Sequence, residues 1–98
     1  MGTNAQTNQE NSPLIVELKE NAVDEKLIFN VSFEKEDNLL VELYDSSGKF
    51  IKQLTREIIK NKNIEKVFKF YVKDLSSGIY YLDFHNNSGR QSKKFVKK

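Results

Sequence analysis

From Pro13 onward the chain repeatedly alternates apolar and polar side chains with a period of two, and a helix cannot use that pattern. Leu27, Phe29, Val31 and Phe33 alternate with Ile28, Asn30, Ser32 and Glu34. Leu39, Val41 and Leu43 alternate with Leu40, Glu42 and Tyr44. Wound at 3.6 residues per turn, these apolar positions would scatter around the whole circumference. In an extended strand they collect on one face, which must then be covered by something apolar.

The same reading gives further faces. Leu14, Val16 and Leu18 form one, Phe68, Phe70 and Val72 another, and Tyr80, Leu82 and Phe84 a third. In that last run Asp83 and His85 point away from the core. A fourth strand over about 49–57 is less regular, its inward face held by Ile51 or by the Phe50/Leu54 pair. A closing strand spans about 90–97 with Phe95 inward. Between the runs lie Glu36-Asp37-Asn38, Asp45-Ser46-Ser47-Gly48 and Asn86-Asn87-Ser88-Gly89, whose Asp, Asn and Gly residues suit tight turns. The segment Leu54–Lys66 is dense in charge, with Ile58, Ile59 and Ile64 as its apolar anchors. It reads as a long exposed connection, with a helical turn as the alternative. About seven short strands with turns at this spacing predict an all-β, immunoglobulin-like antiparallel sandwich over residues 13–98.

Ahead of it, residues 1–12 are rich in Asn, Gln and Thr and show no periodicity. They read as a disordered lead-in: an added start joined to the first residues of a processed chain. They lack the apolar core of a signal peptide, and no run in the sequence approaches the roughly 20 apolar residues of a spanning helix.

Chemistry is scarce. With no cysteine, disulfides, thiolate nucleophiles and Cys-based zinc sites are excluded. The 16 basic and 14 acidic residues are interspersed and sum to +2, too weak a field to imply nucleic acid as a partner. His85 is the one histidine and has only Asp83 nearby on its face, so it reads as a surface-strand residue. The carboxylates Asp24, Glu25, Glu34, Glu36 and Asp37 fall in turns, where water keeps both members of any pair ionised. No serine sits in a nucleophile-elbow context and no glycine-rich loop precedes a helix. No catalytic residue, metal site or cofactor is expected, and the chain is expected to be a monomer.

Two features stand out. In Asp74-Leu75-Ser76-Ser77-Gly78-Ile79-Tyr80, a bend at Gly78 leads into a strand carrying Tyr80, the layout of a tyrosine corner. At the other extreme, Lys93, Lys94, Lys97 and Lys98 crowd the closing strand. They read equally as edge protection against aggregation or as a positively charged recognition signal. Lying at or beyond the strand's end, they are expected to matter little for folding.

These residues also carry a resemblance. Val41–Lys49 with its Tyr-Asp-Ser-Ser-Gly-Lys turn, then Asp74–Tyr80, then Lys93-Lys94-Phe95-Val96-Lys97-Lys98, resemble the C-terminal sorting domains of the Bacteroidetes type IX secretion system over roughly residues 21–98. Where that family usually opens with a Pro-Asn-Pro-like motif, this chain has Asn21-Ala22-Val23. The resemblance implies export, recognition of the folded domain at the outer membrane, and secretion machinery as partner. It carries over Gly48, Lys49, Gly78, Tyr80 and the closing lysines 93, 94, 97 and 98. The alternative is a free-standing secreted immunoglobulin-like module that binds a surface protein or glycan. Both readings place the protein in the periplasm, at the outer-membrane surface or outside the cell, with no catalytic role.

Overall fold

A computed structural model describes residues 14–98, and over them the period-two pattern becomes eight strands. They are β1 (Ile15–Leu18), β2 (Ala22–Val23), β3 (Lys26–Phe33), β4 (Asp37–Asp45), β5 (Phe50–Ile59), β6 (Ile64–Tyr71), β7 (Gly78–Asn86) and β8 (Gly89–Lys97). The lead-in expected over residues 1–12 lies outside the described residues.

The strands form a sandwich. One sheet has the order β1-β3-β6 and the other β2-β8-β7-β4-β5. The extra strand, against about seven expected, arises because the first apolar run changes sheets. β1 pairs antiparallel with β3, and after a short crossing Ala22 and Val23 pair in parallel with Val96 and Lys97 of β8. All other pairings are antiparallel.

Between the sheets lie Phe29, Val31, Phe33, Val41, Leu43, Phe68, Tyr80, Leu82 and Phe84, all buried as the alternation requires. Phe70 is only half-buried and packs at the edge of this core. Phe29 sits at the centre. It stacks on Phe68 of the neighbouring strand at 5.3 Å and meets Phe84 of the opposite sheet edge to face at 5.2 Å. Contacts of this kind add about 0.5–1.5 kcal/mol each to simple burial, so this trio helps to lock one sheet onto the other.

The region 54–66 departs from the expected exposed connection. β5 runs on to Ile59, β6 begins at Ile64, and only residues 60–63 turn between them. Asn63 adopts a left-handed φ of 53°, a conformation that asparagine tolerates better than most residues. The charges that suggested a loop belong instead to edge strands, where solvent takes one face and lysines guard the edge. Register shifts in the β4–β5 pair between Val41 and Glu42 and between Leu43 and Tyr44 explain the irregular reading of strand four. Ile51 and Leu54 pack against the core, while Phe50 stays about half exposed and meets Tyr44 at 5.7 Å.

Asp37 also departs from its expected place in a solvated turn. It is the first residue of β4 and is buried, and its carboxylate is fully engaged. Oδ1 accepts from the amides of Asn38 and Asn87, and Oδ2 accepts from the Asn86 side chain at 2.9 Å. One carboxylate therefore clamps the β7–β8 hairpin to the start of β4.

Candidate recognition site on the closing strand

Alternation along β8 divides the four closing lysines into two kinds. Phe95 is buried, so Lys93 and Lys97, two residues either side, lie on its face, and Lys94 and Val96 lie on the other. Lys97 is itself buried at 8% exposure, and its Nζ donates to the Lys98 carbonyl at 3.2 Å. The side chain is covered, and its ammonium is held against the neighbouring backbone. Lys93 is half-buried, and Lys94 and Lys98 are exposed. The four therefore do not form one basic patch. Among the described residues none of them pairs with a carboxylate.

The end of β8 is held on both sides. Val96 pairs with Ile79 and Lys97 with Gly78 of β7. On the other flank the Val96 amide donates to Asn21 O and the Lys98 amide to Val23 O, each at 2.8 Å. Lys97, expected at or beyond the strand's end, is instead the last residue of β8 and is buried, and the backbone around it is laddered on both flanks.

Beside it stands the bend at Gly78, whose φ of 150° favours glycine, although a Cβ there would meet no atom within 4 Å. The backbone conformation, not crowding, accounts for the glycine. Tyr80 follows, buried and stacked on Phe95 at 5.7 Å, and its hydroxyl donates to the Ser76 carbonyl at 2.7 Å. The phenol thus ties the bend to the strand it opens. At the same end of the sheet, where Asp45 of β4 pairs with Tyr80, Gly48 has φ 88° in the turn between β4 and β5. There Asp45 Oδ1 accepts from the Ser47 amide, the Ser47 hydroxyl and the Lys49 amide, at 2.9, 2.7 and 3.0 Å. The bond from the Lys49 amide and then that from the Ser47 hydroxyl hold the Asp45 carboxyl below its ordinary range.

The outer face of the larger sheet carries a polar cluster that the alternation placed outside the core but did not resolve. Asp83, expected to point to solvent, is only 7% exposed. It accepts a 2.6 Å bond from Ser92 Oγ, and Arg90 Nε lies 3.7 Å from its other oxygen. His85 Nε2 lies 3.2 Å from Glu42 Oε1 and 3.9 Å from Asp83 Oδ2. Neither contact is an aligned hydrogen bond. The Tyr44 hydroxyl donates to Glu42 Oε1 at 3.0 Å. That bond, with burial and the Glu42 charge, raises the Tyr44 pKa above its ordinary 10.0. The carboxylates are thus occupied by structural partners, on a sheet face with an open depression of about 260 Å³ beside Asp83 and another of about 320 Å³ beside His85. Among the described residues no hydroxyl bonds to His85, and no group of three His, Asp or Glu side chains is placed to hold a metal ion.

Comparison with known proteins agrees with the resemblance. The family described as the secretion system C-terminal sorting domain matches residues 25–98, from the start of β3 through β8. No curated protein matches the chain. Among solved structures, a superoxide reductase (neelaredoxin) from Ignicoccus hospitalis is 17% identical with a TM-score of 0.57, covering 89% of this chain and 80% of its own. A hypothetical protein from Pyrococcus horikoshii OT3 is 14% identical with a TM-score of 0.54, covering 87% of this chain and 85% of its own. Likeness at these identities speaks for the sandwich fold alone.

Proposed function

Because the chain belongs to the family of secretion system C-terminal sorting domains, we propose that it is the signal by which a type IX secretion machine of a Bacteroidetes-like bacterium recognises an attached cargo. The domain is exported with its cargo, docks in folded form at the outer membrane, and takes no catalytic part. The observation that carries this reading is the family match, which embraces the Asp45–Lys49 turn, the Gly78–Tyr80 corner and the whole of β8. The geometry is in keeping with it. The closing strand is presented as a firm element rather than a loose tail, and pre-ordered elements lose less entropy when a partner binds.

A second reading rests on β1 and β2, which precede the matched residues and complete both sheets. It makes the chain a free-standing secreted module for a surface protein or glycan. The coding sequence and the mature product separate the two. A cargo domain encoded ahead of this one, recovered from the cell surface or culture fluid without residues 14–98, is the result expected of a sorting signal. A signal peptide followed by this domain alone, retained intact after export, would overturn that reading in favour of the module.

A further inference from the structure

The two outer faces of the sandwich differ in how their apolar residues are arranged. On the smaller sheet Ile15, Val67 and Tyr71 are each more than 60% exposed, but the pairing isolates them. Ile15 stands beside Ser32 and Glu65, Val67 beside Asn30 and Glu17, and Tyr71 beside Lys26. On the larger sheet Ile58 stands apart beside Asn38, but the other exposed apolar positions fall in register. Ile79, Val96 and Ala22 are Cα partners across β7, β8 and β2, and all three are exposed on the outer face. The next row along the same face runs Tyr44, Tyr81, Lys94, with the Phe50 ring against Tyr44. A continuous apolar and aromatic strip therefore crosses the sheet from Phe50 on β5 to Ala22 on β2, passing over the closing strand at Val96. Lys94 and Lys98 flank Val96 along that strand, both exposed and neither paired with a carboxylate among the described residues.

We infer that this strip is the docking surface for a partner protein, and that the partner's matching surface is apolar with carboxylates placed to meet Lys94 and Lys98. The inference rests on the sorting reading and specifies its contact. Apolar centres with charged rims are how protein interfaces divide their labour: the centre supplies affinity, and the rim steers encounter and rejects wrong partners. The strip has both parts. The inward lysines, Lys93 and Lys97, are then structural and belong to the sandwich rather than to the contact.

The test fuses the full chain behind an exported reporter in a host that has the type IX machinery, and compares three forms. The face variant Ile79→Thr/Val96→Thr keeps β-branched side chains and removes apolar surface, and Lys94→Glu alone reverses one rim charge. The control Ile15→Thr/Val67→Thr makes the same chemical change on the other sheet. Circular dichroism and urea midpoints of each purified domain establish that it folds. The Ile79/Val96 variant is expected to lose surface delivery by roughly tenfold or more, as the loss of central interface contacts does, and Lys94→Glu by a similar factor, because it sets like charge against the partner's carboxylates, with the control within about twofold of the unmodified chain. Normal delivery by both face variants would overturn the inference and leave the sorting reading standing, and so would equal loss in the control. Failure of the unmodified chain to deliver the reporter would overturn the sorting reading, and the inference with it.

Discussion

The amide of Lys98 donates to the carbonyl of Val23 across 2.8 Å, so the end of the sequence is bonded to the strand that opens this sheet. Truncating residues 96–98 removes this bond and that from Val96 to Asn21, together with the burial of the Lys97 stem. Two backbone bonds contribute roughly 1–3 kcal/mol between them, and the truncated domain is expected to lose at least that much. A urea titration of the two forms measures it. An unchanged midpoint would show that the parallel β2–β8 ladder is not formed in solution.

Neutralising Lys94 and Lys98 is expected to behave differently. Both are exposed and unpaired among the described residues, so Lys94→Ser/Lys98→Ser should shift stability by no more than about 1 kcal/mol. The same urea titration tests it, and a loss as large as the truncation's would assign these side chains a structural role.

Tyr80→Phe keeps the stack on Phe95 and removes the bond to Ser76 O. Ser76 is exposed, so water can reach the freed carbonyl. The expected loss is therefore about 1 kcal/mol, near the net value of an ordinary hydrogen bond. A midpoint unaltered within error would remove the corner from the account.

Asp37→Ala strands the Asn87 amide and frees the Asn86 side chain. Bonds to a charged group contribute about 1.5–3 kcal/mol, and a loss of that order is expected. Hydrogen exchange at the Asn87 amide should accelerate selectively. Unchanged protection there would mean that the hairpin is held by its ladder alone.

The two perturbed groups act at opposite ends of the pH scale. Tyr44 has its pKa raised in the folded state, so its contribution is complete below 10.0, the ordinary value, and is lost as pH rises through the higher folded value. Asp45 has its pKa lowered, so its contribution is present above 3.8, the ordinary value, and is lost as pH falls through the lower folded value. Glu42→Gln removes the charge that opposes Tyr44 ionisation, and phenolate absorbance should then appear at lower pH. Asp45→Asn should flatten the acid limb of the stability curve. Unchanged profiles in both variants would show that these contacts do not form in solution.

How much of this was legible follows from what sequence patterns can encode. The long strands were, because inward Phe29, Val31, Phe33, Leu82 and Phe84 repeat every second residue. The inward position of Lys97 was legible in principle, two residues beyond buried Phe95, but a charged residue near an end suggests solvent. The same phase rule puts Ile79 and Val96 outside, although which outward residues become neighbours depends on pairing register. β2 was not legible. It has two residues, and its partner lies at the other end of the sequence. The burial of Asp37 is not legible, because its partners, Asn86 and Asn87, approach only when the β7–β8 hairpin closes against β4.

The proposed sorting role is read most directly from where the domain takes a cargo. A reporter with a signal peptide ahead and the full chain behind is expressed in cells that have the type IX machinery and in cells from which it has been deleted. The reporter is expected on the surface or in the medium of the first and held in the periplasm of the second. Periplasmic retention in both, with the domain folded, would contradict it.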